Sequence, residues 1–320
     1  MNLLKLRFSM IGTLALIIGI STLILAIILT LIGDFNVILL AGLVLVFNLA
    51  QWLFAPYLIN ALYRVRKLSK QEHPKLHAAI EVLCRKINLK PPQLMLAEIP
   101  IPNAFAYGSP IAGSRVAVTS GLLNQLDEDE VEAVIGHELG HLKHKDVQIM
   151  MIASLLPALF YYIGYSLMYS GYRSDSRERG NSLAPLIGLI SIAVYWILTL
   201  LALGLSRLRE YYADQLSATT IPNGAEKLSI ALAKIVFSTS RMKPYYKAYA
   251  NHLNSFKFLL IADPDKAGEE AQALYKHFKS EKDLVQGILE RKLTLADRVM
   301  ELFSSHPNIV KRLKALQSYR

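Results

Sequence analysis

Four long apolar stretches divide this chain, and the segments between them change to helical and strand periods. Residues 11–32 carry no charge over ~22 positions, enough to cross a bilayer as a helix. Gly33-Asp34-Phe35-Asn36 makes a tight turn, and a second run follows over residues 37–57. A secretory leader would have a shorter apolar core followed by a polar mature chain, so the pair predicts a transmembrane hairpin. A third run covers 147–169, with Pro157 a predicted kink, and a fourth covers 183–205. The polar loop 171–182 joins them.

Between the hairpins, Leu76, Ile80, Leu83 and Ile87 mark an amphipathic helix that Lys90-Pro91-Pro92 stops. Residues 93–98 alternate weakly, as a strand does. Pro100 and Pro102 lack the ladder donor, which keeps 99–102 out of a central strand. Residues 103–108 and 115–119 predict two short strands around a Gly/Pro turn, giving a small sheet. A helix follows over about 127–146; Asp127 with Glu130 has the spacing of a capping box, and its acidic first turn suits the helix dipole. After Arg207 the chain is soluble in character, with helical patterns over 210–219, 224–239, 267–280 and 308–319.

Composition sharpens the membrane reading. The chain has 320 residues, is 53% hydrophobic, and carries a formal charge of +10, with the apolar excess concentrated in runs. The basic residues flank those runs, at Lys5 and Arg7, at Arg64, Arg66, Lys67 and Lys70, and at Arg207 and Arg209. Nucleic-acid binding would want them interleaved with aromatics, so that class is set aside. By the positive-inside rule both termini and the soluble blocks are cytoplasmic, although three arginines in 171–182 run against the rule. The expected organisation is an N-terminal transmembrane hairpin (1–59), a discontinuous cytoplasmic domain (60–147 and 207–320) and a second hairpin (148–206). The single cysteine, Cys84, falls on a helical apolar face as a small buried hydrophobe; no intrachain disulfide is possible.

The chemistry centres on His137-Glu138-Leu139-Gly140-His141. Helical residues at i and i+4 share a face, so His137 and His141 can present two imidazoles to one metal ion. Glu138 then stands beside the metal-activated water as its base. A catalytic zinc wants a third protein ligand. The extension that supplies a later histidine fails, because its positions are His144 and Val147. The alternative is a glutamate from a later helix. His141 lies about six residues before the third run and Glu210 about five after the fourth, which sets them at a similar depth. Asp214, one turn beyond Glu210, can accept the second N–H of a ligand histidine. His144 is expected near the site or at the surface, and His73, His77, His252 and His277 at the surface.

Four apolar runs, Gly136-His137-Glu138-Leu139-Gly140-His141 before the third, and Arg209-Glu210-Tyr211-Tyr212-Ala213-Asp214 after the fourth resemble the HtpX family of membrane zinc endopeptidases. Asn103-Ala104-Phe105-Ala106-Tyr107-Gly108 and His306-Pro307-Asn308-Ile309-Val310-Lys311-Arg312-Leu313 are similar to its other motifs. The resemblance implies a mainly α membrane protein with a small β-sheet: four transmembrane helices and a cytoplasmic zincin-like α+β protease domain. It implies one Zn²⁺ per chain on His137, His141 and Glu210, with Glu138 as general base and Asp214 orienting a ligand. It also implies substrate contacts at Asn103, His306 and Arg312. Expected substrates are unfolded, misfolded or damaged membrane proteins, cut at the cytoplasmic face of the plasma membrane in protein quality control and stress response. Two alternatives stay open: a processing peptidase for defined, for example lipidated, C-termini, and a non-catalytic zinc scaffold. A scaffold would want a closed four-ligand site, for which the sequence offers no clear fourth group.

Overall fold

The computed structural model describes residues 37–173, 183–241 and 280–319. In chain order these form α1 (Val37–Leu62), β1 (Val65–Lys67), α2 (Pro74–Lys86), β2 (Gln93–Ala97), β3 (Ala104–Ser109) and β4 (Gly113–Thr119). Then come α3 (Ser120–Gln125), α4 (Glu128–Lys143), α5 (Asp146–Arg173), α6 (Ala184–Thr220) and α7 (Gly224–Arg241). Residues 281–317 add α8 (Glu281–Glu290), α9 (Leu295–Leu302) and α10 (Ile309–Gln317). The chain divides into two compact units. One comprises Leu53–Val147 with Arg207–Arg320; the described part of the other runs from Val37 to Trp52 and from Gln148 to Ser206.

In the first unit the sheet order is β1-β2-β4-β3. β2 and β4 are parallel, with Leu94 opposite Val116, and both outer pairings are antiparallel. Alternation sends Leu94, Leu96, Val116, Val118 and Ala104 to one face, under α2, α4, α7, α8 and α10. Met95, Ala97, Ala117, Phe105 and Tyr107 face the other way, onto Ile59 of α1 and Tyr63 just after it. The strand β1 and the helices α8 and α9 are not legible in the apolar pattern. β1 has only three residues, and its burial is set by its partner β2.

In the second unit α5 and α6 pack through Phe160, Ile163, Leu167, Ile187, Val194 and Leu198. A Cβ at Gly164 would lie 2.9 Å from the Gly188 carbonyl oxygen, so the two helices touch through their backbones. Among the described residues, two helices, Asp146–Tyr165 and Ala184–Thr220, are long and apolar enough to cross a membrane. The expected span 37–57 is helical within α1, and 11–32 lies outside the described residues. Of the four expected spans, the third and fourth are thus the ones matched by such helices among the described residues. The helix expected over 267–280 also lies outside, except Ser280, which caps α8 by accepting from the Asp283 amide at 3.2 Å.

Two boundaries differ from the expected ones. The predicted helix to residue 146 stops at Lys143, because Lys145 takes a left-handed conformation (φ 55°), and Asp146 opens α5. Conversely, the fourth apolar run and the helix over 210–219 are one continuous helix of 37 residues. No Gly, Pro or αL residue interrupts Ser206-Arg207-Leu208-Arg209, so nothing ends it.

Candidate active site

α4 starts as its sequence demands: Asp127 caps it, and the Asp127 amide donates to Glu130 Oε2 at 3.0 Å, closing the capping box. Its two internal glycines oppose helix formation by about 1 kcal/mol each. They are there because α6 passes close by. A Cβ at Gly136 would meet Ile221 Cδ1 at 2.6 Å, and one at Gly140 would meet Ala213 Cα at 2.8 Å. The Ser217 hydroxyl donates to the Ala133 carbonyl at 2.7 Å and fixes the same contact. Gly140→Ala gains that helix propensity but forces backbone apart, and overpacking of about 1–3 kcal/mol wins. We expect a lower melting temperature and weaker metal retention in the same variant; an unchanged melting temperature would show that α6 can yield.

This contact brings the predicted residues together. His137 Nε2 and His141 Nε2 face each other at 3.1 Å. The Glu210 carboxylate lies 3.4 Å from His141 Nε2 and 3.6 Å from His137 Nε2. Four-coordinate zinc, with bonds near 2.0–2.1 Å, sets neighbouring ligand atoms about 3.3 Å apart, so this triangle already has the edges of a metal site. His137, Glu138 and His141 also lie within 4.8 Å of one another. Glu138, however, is engaged elsewhere: its Oε2 accepts from the Ala106 amide at 2.7 Å. Glu210 is therefore the better third ligand.

Each imidazole is turned by a carboxylate behind it. His137 Nδ1 lies 2.8 Å from Asp214 Oδ1, and His141 Nδ1 lies 2.5 Å from Asp146 Oδ2. With the Nδ1 protons held there, the two Nε2 atoms converge on one point, where a cation would take the place of the proton His141 otherwise carries. Asp146 in turn is 2.9 Å from Arg209 Nε. Sequence reasoning found Asp214 and missed Asp146. Asp146 sits five residues beyond His141 across the left-handed Lys145, off the helical spacing that exposed the other residues. Arg209, part of the Arg209–Asp214 motif, had no assigned role.

Of the residues expected to touch substrate, His306 reaches the centre, with Nε2 3.7 Å from Glu210 Oε1. Arg312 reaches it but is sealed. It is 1% exposed, grips Asp214 through Nε (2.9 Å) and Nη2 (2.6 Å), and sets Nη1 3.2 Å from Glu210 Oε2. In this position it organises the carboxylates of Asp214 and Glu210. Asn103 precedes β3, and its amide and carbonyl are taken by Thr119, so it offers no backbone to an added strand. The register turns the backbone groups of Ala104, Ala106 and Gly108 outward on the edge strand β3, and of these the Ala106 amide is already taken by Glu138. His144 caps α4 with its ring 3.7 Å from that of Tyr212, and His77 Nε2 lies 3.0 Å from the Leu68 carbonyl oxygen. His252 and His277 lie outside the described residues.

The electrostatics follow from the packing. Burial pulls the His141 imidazole down, but Asp146 and Glu210 outweigh it and push its pKa up to about 10. Burial lowers the His306 pKa, and Glu210 only partly opposes this. Burial also works against the Arg312 charge, yet Asp214 and Glu210 raise its pKa. Since His141 holds a proton below about 10, a metal must displace it. Metal uptake at pH 7 is thus expected to release about one proton here, with affinity rising toward alkaline pH. Titration calorimetry in buffers of different ionisation enthalpy reads this directly, and uptake without proton release would refute it.

The comparisons with known proteins agree with this geometry. Residues 70–320 match the model of peptidase family M48. The chain is 39% identical over 281 residues to a protease HtpX homolog of Thermoplasma acidophilum, covering 86% of this chain and 83% of the relative. It is 38% identical over 280 residues to protease HtpX homolog 2 of Saccharolobus solfataricus, covering 84% and 82%. The crystal structure of S. mikatae Ste24p aligns with a TM-score of 0.52 at 16% identity, over 98% of this chain and 67% of that one, a likeness of fold. A family-wide match, close relatives over most of their length and a two-histidine, one-glutamate cluster suited to a divalent metal together make this chain a member of peptidase family M48, a metalloendopeptidase of the HtpX type.

Proposed function

We propose that this chain is a membrane-bound zinc endopeptidase that cuts unfolded or damaged membrane proteins on the cytoplasmic side of the plasma membrane. The observation that carries the reading is the triangle of His137, His141 and Glu210 with Glu138 bonded to the edge strand β3 beside it. Those three residues would hold one zinc ion, with Asp214 and Asp146 behind the histidines. Zinc so held supplies a Lewis acid that acidifies water and polarises a carbonyl.

An extended peptide docks along β3 and pairs with the outward amide and carbonyl of Ala104 and the outward carbonyl of Ala106, whose amide is held by Glu138. Such a site reads backbone, which suits unfolded substrates of many sequences. Glu138 takes a proton from the attacking water and later gives it to the leaving amine. Its bond to the Ala106 amide aims the carboxylate along the strand where the scissile bond lies. His306, its pKa lowered by burial, has Nε2 3.7 Å from Glu210 Oε1 at the centre and donates to the developing oxyanion. The apolar runs anchor the domain at the membrane with both termini cytoplasmic.

The test is proteolysis of an unfolded model protein by detergent-purified full-length chain, with metal content measured. We expect cleavage that a chelator abolishes and that one equivalent of Zn²⁺ per chain restores. Intact substrate with the metal fully bound would overturn the broad-substrate reading.

A further inference from the structure

We propose that α9 lies in the surface of an anionic membrane, with Leu295, Val299, Leu302 and Phe303 sunk into the boundary between headgroups and acyl chains. These four side chains are 78%, 55%, 51% and 60% exposed, and at i, i+4, i+7 and i+8 they form one stripe along the helix. The opposite side is the polar one. Glu301 is buried there and accepts from the Asn308 amide at 3.1 Å. A helix of a soluble domain turns its apolar stripe inward; α9 is inside out.

The helix is not left loose. Thr294 Oγ1 accepts from the Asp297 amide at 3.1 Å, the Thr294 amide donates to Asp297 Oδ2 at 2.8 Å, and Arg291 holds Asp297 at 2.9 Å. At the other end Arg207 Nη1 donates to the carbonyls of Glu301 (2.8 Å), Leu302 (3.2 Å) and Ser304 (2.7 Å). A stripe presented by a helix fixed at both ends is a built surface.

Arg207 also identifies the occupant. It is the first charged residue after the uncharged stretch 184–206 of α6, the level at which that helix would leave a bilayer. The C-terminal end of α9 is bonded to that residue, so its apolar stripe belongs at the membrane boundary. Lys292 and Arg298 are exposed beside it and suit anionic headgroups. The inference rests on the reading of α6 as a span. It also has a consequence for the centre, because α9 leads within a few residues to His306 and Glu301 holds the amide of Asn308. Seating α9 on lipid would fix the loop that carries His306.

The test is depth-dependent quenching in the full-length protein, reconstituted in phosphatidylcholine vesicles containing phosphatidylglycerol. A single fluorophore is attached at Val299→Cys, at Ile197→Cys within α6, or at Glu128→Cys at the start of α4. All three sites are exposed, while Cys84 is buried and unreactive. For a face immersed about 5–10 Å, a nitroxide near the headgroups should cut the Val299 signal about two-fold or more, and aqueous iodide should not reach it. Iodide alone should quench the Glu128 probe, and a deep nitroxide the Ile197 probe. A Val299 probe quenched by iodide like Glu128 overturns the proposal. So does one shielded from both quenchers, which would mean that protein, for instance a second copy, covers the stripe. If Ile197 responds to lipid and Val299 does not, this inference fails alone; if neither responds, the membrane reading fails with it.

Discussion

Glu138→Gln is expected to lower turnover about 10²–10⁴-fold while leaving bound metal near one per chain. The amide keeps the size of the carboxylate and still offers an oxygen to the Ala106 amide at the position now 2.7 Å away, so the surrounding packing stays. What it loses is the ability to take a proton from water and return it to an amine. The paired measurement of kcat on an unfolded substrate and metal content separates two roles. Loss of activity with metal retained makes Glu138 the base and leaves Glu210 as third ligand. Loss of both would make Glu138 itself a ligand, as its place within 4.8 Å of the two histidines allows. Full activity would remove it from the mechanism.

Arg312→Met carries the second large effect, on stability rather than chemistry. Asp214 and Glu210 are buried, and Arg312 provides two bonds to the first and stands 3.2 Å from the second. Removing one partner of a buried ion pair strands the other charge, at a cost of about 3–5 kcal/mol. That is a large share of the 5–15 kcal/mol by which a typical domain is stable. We expect a sharply lower melting temperature and loss of metal, since Asp214 orients His137 and Glu210 completes the triangle. A melting temperature within a degree or two of wild type would show that Arg312 contributes little.

Much of the centre was legible in the sequence because its residues obey helical arithmetic. His137 and His141, and Glu210 and Asp214, are each i and i+4 pairs, and periodicity alone puts each pair on one face. The sheet was legible where strands alternate and prolines forbid pairing. What escaped depends on single dihedral angles or on contacts distant in sequence. Asp146 reaches His141 only because Lys145 turns left-handed. The grip of Arg312 on Asp214 joins residues 98 apart in sequence, a pairing that no local period reveals. Asn103 carries the family motif, yet Thr119 takes its backbone, and the outward amides belong to its neighbours.

The unbroken course of α6 ties two properties that a hinge would have kept independent. The aim of Glu210 at the two histidines and the aim of Asp214 at the ring of His137 sit on one shaft, one turn apart, so each fixes the other at 1.5 Å and 100° per residue. One residue added between them would swing Asp214 more than a quarter-turn from its partner while Glu210 stayed in place. The pitch of a single helical turn is therefore as much a part of the metal centre as the ligands are.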